Sequence, residues 1–145
     1  MKKLTFKIVI DAAPEKIWNI IIGAESYPKW TAVFAEGSNV ETTWQKGSRA
    51  LFTDGSGSGM IAEIEENIPN KYLSIKHIGE LKDGVEDTTS DRVKEWAGAH
   101  EDYTLNQLGD KTEWLVEIDV SQEWEEYMTK AWTQAQEKVK EMAEE

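Results

Sequence analysis

The sequence predicts an α+β domain in which a curved antiparallel sheet is crossed by one long C-terminal helix. Three observations predict it. Ser121 to Glu145 carries Trp124, Tyr127, Met128, Ala131, Trp132, Ala135, Val139 and Met142, mostly at steps of three and four, which is the pattern of an amphipathic helix. Ahead of it runs a series of short segments of alternating polarity, each the signature of a strand with one buried face. The turns between those segments are short, which favours antiparallel neighbours. Only the C-terminal helix is long enough to cover an apolar sheet face. Its large aromatic and Met side chains do not fit a thin seam, so a sheet that curves around them leaves room for a ligand.

The elements follow in order. Leu4, Phe6, Ile8 and Ile10 alternate with Thr5, Lys7 and Val9, giving an opening strand. Pro14 suits the first turn of a helix, where its missing N–H costs nothing, and Ile17, Trp18, Ile21 and Ile22 give that helix an apolar face ending at Gly23. Glu25 to Trp30 can form a second short helix, limited to a turn or two by Pro28. Val33 to Asn39 reads as irregular. Six strands are expected after this: Val40–Trp44, Arg49–Thr53, Met60–Glu66, Tyr72–Ile78, His100–Gln107 and Thr112–Val120. Gln45-Lys46-Gly47, Asn67-Ile68-Pro69-Asn70 and Gly109-Asp110-Lys111 are turns. Lys82 to Ser90 reads as a water-facing loop, and Asp91 to Gly98 as either a helical turn or the approach to a strand. Ser121 is placed to cap the final helix, with Glu123, Glu125 and Glu126 at the end that favours negative charge. Residues 1–145 form one domain with no internal repeat.

Composition excludes several functions. The chain has 145 residues, enough for one ordinary domain, and its seven Trp, four Tyr and three Phe can build a sizeable core. No run is long and apolar enough to span a membrane, and the polar alternation from Lys2 to Ile10 is not a signal peptide. Cysteine is absent, which removes disulfides and thiolate chemistry and fits a cytoplasmic setting. With 28 acidic and 16 basic residues the formal charge is −12, and no concentrated positive surface for a nucleic-acid backbone is visible. The acid concentrated between Glu113 and Glu145 reads as a solvated helix face, or as a surface for a basic protein partner.

The segment Phe6-Lys7-Ile8-Val9-Ile10-Asp11-Ala12-Ala13-Pro14-Glu15-Lys16-Ile17-Trp18 resembles the start of the START-like helix-grip (SRPBCC) superfamily, in particular its bacterial branch related to the activator of Hsp90 ATPase. Tyr27-Pro28-Lys29-Trp30 is similar to the part of the superfamily that borders the cavity entrance, and the element order matches over nearly the whole chain. The sequence departs from many of these relatives between Lys82 and Ala99. The resemblance implies a helix-grip fold with a hydrophobic cavity between sheet and long helix, and it names no ligand: the superfamily includes lipid and hormone carriers, polyketide cyclases, stress-response proteins and chaperone cofactors.

Candidate chemistry is sparse. His77 shares a face with Leu73 and Ile75 and so points inward; it is a weak candidate for catalysis or for orienting a ligand. His100 falls on the parity opposite to Glu101, Tyr103 and Leu105, which places it outside. Tyr103 is the tyrosine on the inner parity and the second weak catalytic candidate. Neither His-x-x-His nor His-Glu-x-x-His occurs, so no metal site is expected. Asp54-Gly55-Ser56-Gly57-Ser58-Gly59 lacks the Lys-Ser/Thr of a phosphate loop and joins strands, which argues against both a nucleotide loop and a hydrolase nucleophile. Trp18, Trp114 and Trp132 are expected in the core. Trp30, Phe34, Phe52, Met60, His77, Trp96, Tyr103, Trp124 and Met128 are the candidate ligand-binding residues, because such side chains offer broad apolar area with a few polar tips.

Three functions follow as expectations. The first is binding of a small apolar or amphipathic molecule in the central cavity, without a cofactor, where burying about 200 Å² of apolar ligand surface would supply on the order of 5 kcal/mol before ordering costs. The second is a protein-interaction module that regulates a chaperone or another client. The third is a cyclase-like enzyme, which requires His77 and Tyr103 to converge.

Overall fold

The computed structural model describes residues 1–145. The chain runs β1 (Lys2–Ile10), α1 (Pro14–Ile22), α2 (Tyr27–Trp30), a 3₁₀ turn (Thr31–Val33), β2 (Asn39–Glu41), β3 (Arg49–Thr53), β4 (Gly59–Ile68), β5 (Tyr72–Lys82), β6 (Val85–Asp87), α3 (Asp91–Lys94), β7 (His100–Leu108), β8 (Lys111–Val120), a 3₁₀ turn (Gln122–Trp124) and α4 (Glu125–Ala143). The strands form one antiparallel sheet in the order β1-β8-β7-β5-β4-β3-β2, with β6 pairing β5 off that path. This is the α+β helix-grip architecture: α4 packs over β1, and α1 and α2 flank it.

The alternation read from the sequence sets the inner face. Ile10, Trp114, Val116, Ile118 and Val120 are buried on β1 and β8, and Leu73, Ile75, Tyr103 and Leu105 on β5 and β7. On α4 the buried positions are Ala131, Trp132, Ala135, Gln136, Val139 and Ala143, the expected helical spacing. Gln136 is the polar member of that stripe. Its Nε2 donates to Phe6 O at 3.3 Å and to Trp114 O at 3.2 Å, tying α4 to both β1 and β8.

Several boundaries differ from the sequence reading, each for a local reason. The strand expected at Val40–Trp44 is Asn39–Glu41; beyond it Trp44 N and Gln45 N turn to the Thr42 and Thr43 hydroxyls and Trp44 adopts φ 64, a left-handed conformation that does not continue a strand. The polar Lys82–Ser90 segment contains β6, a three-residue strand that folds back on β5 through Asp83-Gly84, both at positive φ. The chain therefore has seven strands after the short helices rather than six. Asp91–Gly98 begins as a helical turn, α3, capped by the Ser90 hydroxyl, which accepts from Val93 N. Ser121 makes no side-chain cap; a 3₁₀ turn intervenes, and α4 starts at Glu125. At Gly59 the β3–β4 backbones approach so closely that a Cβ would lie 1.7 Å from Phe52 O, which is why the glycine-rich connector ends on glycine.

Two irregularities in the β4–β5 ladder shape the inner face. Ile61 pairs Gly79 while Ala62 pairs His77, leaving Ile78 as an extra residue in β5; a second shift lies between Ile64 and Glu66. Beyond the first, Ile61 is fully buried on the outer side of the sheet, as is Val93 of α3, and neither belongs to the main core cluster. No helix is long and apolar enough to cross a membrane.

Candidate functional site

The inner face carries one buried polar cluster, and strand register builds it. Ile75 of β5 lies opposite Glu101 of β7, and Leu73 opposite Tyr103. His77 follows Ile75 on the same face, one diagonal step from Glu101, within reach of a long side chain. Beyond the ladder the two chains stay joined, because His77 N donates to Ala99 O and Gly98 N donates to His77 O, both at 2.8 Å. The result is a shared carboxylate. His77 Nε2 lies 3.1 Å from Glu101 Oε1, and the Tyr103 hydroxyl donates to Glu101 Oε2. The side chains of His77 and Glu101 are only 14% and 21% exposed.

The Glu101 carboxylate can only accept, so both neighbours supply protons to it. Burial, and then the charge of Glu101, hold the Tyr103 phenol well above its ordinary pKa; the same two causes raise Tyr27. Tyr103 therefore stays protonated at neutral pH. The other ring nitrogen of His77, Nδ1, is buried and has no hydrogen-bond partner. Trp114 Nε1 is also buried without a conventional partner. Trp114, however, meets Trp30, Tyr103 and Trp132 at interplanar angles of 87°, 82° and 75°, so π faces surround it.

Aromatic rings pack beside the cluster. Phe52 lies 5.9 Å from the His77 ring, and Tyr27, Trp44 and Phe52 form a mutual triangle with centroids 6.1, 6.3 and 6.4 Å apart. Tyr27 comes from α2, where Pro28 and the Thr31 hydroxyl bond to Tyr27 O hold the turn. Trp44 comes from the segment between β2 and β3. Its N–H donates to Thr42 Oγ1 at 3.1 Å and its carbonyl accepts from Asn67 Nδ2 at 2.7 Å, pinning a backbone conformation that costs a bulky residue about 1 kcal/mol or more. Asp102 faces the opposite side of β7, where it accepts from Ser74 Oγ at 2.6 Å, and burial raises its pKa.

The predicted site residues separate into groups. His77 and Tyr103 converge on Glu101, with Phe52 beside His77. Trp30 is in the core, in contact with Tyr27, Trp114 and Trp132. Phe34 packs edge-on to Trp132 at 4.9 Å, and Met128 packs against the same core. Met60, opposite Phe52 and Glu80, and Trp96, just after α3, are half-buried and lie outside that core. Trp124 is 52% exposed, with its ring paired to Tyr127 at 5.9 Å. His100 is on the outer face, beside Glu65. Glu101, Tyr27 and Trp44 are the residues of the cluster that the sequence reading did not select. Glu101 was on the inner parity, and a carboxylate two residues from an inward tyrosine was the available signal.

The resemblance implied a cavity between sheet and helix. That space holds Trp30, Tyr103, Trp114 and Trp132, whose neighbouring centroids lie 5.7 to 6.2 Å apart, which is direct ring contact. Two open grooves lie on the exterior, one along the polar face of α4 from Gln122 to Gln134 and one at the turn between α1 and α2.

A curved antiparallel sheet gripping a C-terminal helix defines a helix-grip fold. The chain belongs to the family described as Activator of Hsp90 ATPase homolog 1-like protein, which matches residues 11–144. Among solved structures it is similar to the Aha1 dimer from Colwellia psychrerythraea, with a TM-score of 0.76 and 18% identity over 99% of this chain and 97% of that one. A Mesorhizobium loti protein gives 0.75 and 16% over 97% and 95%. CalU16 from Micromonospora echinospora gives 0.68 and 14% over 97% of this chain and 65% of that one. At these identities the likeness is one of fold. Among curated proteins, none matches the chain.

Proposed function

We propose that the domain binds a small amphipathic molecule on the inner face of the sheet, with His77, Glu101 and Tyr103 holding its polar group and Tyr27, Phe52, Trp44 and Trp30 covering its apolar body. The observation that carries this reading is the shared carboxylate: Glu101 is mostly buried among aromatic rings, yet one flanking donor, His77, keeps a buried nitrogen without a partner. A buried charged group is a poor device for stability alone, because apolar residues of similar volume usually serve as well or better. Access is by displacement of Trp44 and its neighbours rather than through a standing cavity. Trp44 sits on a short irregular segment in a costly backbone conformation, so its release recovers part of the opening energy. A cytoplasmic setting suits the cysteine-free chain.

The test is native mass spectrometry after exposure to lipid and metabolite extracts, repeated on Glu101→Gln and His77→Phe. A guest retained by the wild-type protein and lost from the variants supports the reading. No retained guest, with tryptophan fluorescence unchanged by every extract, ends it.

The same convergence is what a cyclase-like reaction would require. Tyr103, with its phenol pKa pushed up by burial and by Glu101, can donate a proton-bearing hydroxyl but is not a base at neutral pH. The cluster is therefore better suited to holding a polar group than to abstracting a proton.

A second reading has its own observation. Trp124 and Tyr127 are 52% and 44% exposed beside Glu123, Glu125 and Glu126 at the start of α4, a pairing of aromatic and acidic groups that fits lysine- or arginine-bearing protein surfaces. The family description points to Hsp90 as the first partner to try. Binding to Hsp90 that weakens with salt and with Trp124→Ala supports this reading; no binding and no change in ATPase rate removes it.

A further inference from the structure

We infer that the guest of the His77–Glu101–Tyr103 cluster is a neutral or cationic apolar molecule bearing a hydrogen-bond donor, an alcohol, phenol or amine, and not a carboxylate. The inference rests on the small-molecule reading above and narrows it to a ligand class. Glu101 uses Oε1 for His77 Nε2 and Oε2 for the Tyr103 hydroxyl, so its partners are donors and the carboxylate remains the negative centre of the site. With Nε2 carrying the shared proton, the state of Nδ1 decides what the guest supplies. Nδ1 is buried without a partner. A buried N–H left without an acceptor is rarer and more costly than a lone pair left without a donor, so the bare nitrogen is the form that this packing tolerates. The neighbouring Phe52 ring, 5.9 Å away between centroids, supplies no donor to that lone pair. A guest hydroxyl or amine satisfies Nδ1 at the moment it displaces the ring wall.

Anions meet the opposite conditions. A guest carboxylate brings a second negative charge next to Glu101 in surroundings of low dielectric and offers no proton to Nδ1. Tyr27 and Tyr103, which feel the charge of Glu101, are neutral phenols, Asp102 on the other side of β7 adds a further acid, and no lysine or arginine forms an ion pair with the cluster to offset the charge. Fatty acids and other acyl anions are thereby disfavoured.

The test is calorimetric titration of the wild-type protein at pH 7 with four probes of one ring system: 1-naphthol, 1-naphthylamine, 1-methoxynaphthalene and 1-naphthoate. 1-Naphthol and 1-naphthylamine are expected to bind at least tenfold more tightly than 1-methoxynaphthalene, which has the same body without a donor, and than 1-naphthoate. His77→Phe is expected to abolish the advantage of 1-naphthol over 1-methoxynaphthalene, and Glu101→Gln to improve 1-naphthoate severalfold. Equal affinity for 1-naphthol and 1-methoxynaphthalene, or tightest binding of 1-naphthoate, overturns the donor requirement while leaving small-molecule binding intact. Absence of binding by all four overturns both. The wild-type panel decides the question even where a variant fails to fold.

Discussion

Replacing Gln136 by leucine should loosen the grip of α4 on the sheet. Gln136 is 4% exposed, and its amide nitrogen donates to Phe6 O on β1 and Trp114 O on β8 at 3.3 and 3.2 Å. Leucine has nearly the same bulk but no donor. Each buried carbonyl deprived of its partner costs about 1–3 kcal/mol, while the apolar replacement regains about 1 kcal/mol of transfer energy. With two carbonyls affected the net loss is about 1–5 kcal/mol, which for a domain of this size lowers the melting temperature by roughly 2–20 °C. Urea unfolding followed by tryptophan fluorescence measures it, with Gln134→Leu on the exposed face of the same helix as the control, expected within about 0.5 kcal/mol of wild type. A Gln136→Leu protein as stable as that control would refute the claim that the amide bridge ties α4 to both strands.

Other outcomes follow from the same packing. Tyr103→Phe leaves Glu101 Oε2 without its donor and should cost about 1–3 kcal/mol; a double-mutant cycle with Glu101→Gln should show coupling, and additivity would argue against the contact. Trp132→Ala removes a ring that touches Phe6, Trp30, Phe34, Tyr103 and Trp114 and should cost about 3–5 kcal/mol, whereas Trp124→Ala should stay within about 0.5 kcal/mol, both read by thermal unfolding. Burial raises the folded-state pKa of Asp102 above its unfolded value, so its contribution to stability is fully present below the ordinary carboxylate range and is lost as pH rises through the folded value. Asp102→Asn, which keeps an acceptor for Ser74, should therefore stabilise the protein at pH 7 and lose that advantage below about pH 4, where the wild-type carboxyl is protonated.

How far the sequence carried these conclusions depended on whether the cause was local. Period-two alternation is local, and it placed Leu73, Ile75 and His77 together, put Tyr103 and Leu105 inside with Glu101, and turned His100 outward. The α4 stripe was legible for the same reason, with Gln136 hidden because a polar residue in an apolar stripe reads as surface until its carbonyl partners are known. What stayed illegible was register. That Glu101 stands opposite Ile75, one diagonal from His77, depends on the pairing of β5 with β7 across the Lys82–Ala99 excursion and on the extra residue at Ile78. Tyr27 and Trp44 join the cluster through loops whose destination no periodicity encodes. The three-residue β6, Val85–Asp87, is too short to carry an alternation that can be counted. Met60 stands opposite Phe52, as Ala62 stands opposite Ala50, so register keeps it on the parity that alternation gave it although it lies outside the main core, whereas Trp96 follows α3 in a segment with no periodicity to place it.

The central claim, that a polar guest group is received at the inner face, is tested most directly by following the ring nitrogens of His77 by 15N NMR while 1-naphthol is added. A saturable change at Nδ1 toward a hydrogen-bonded nitrogen, accompanied by movement of the Trp44 indole signal, is the predicted result. A His77 ring that does not respond while only the Trp124 and Tyr127 signals shift would contradict it.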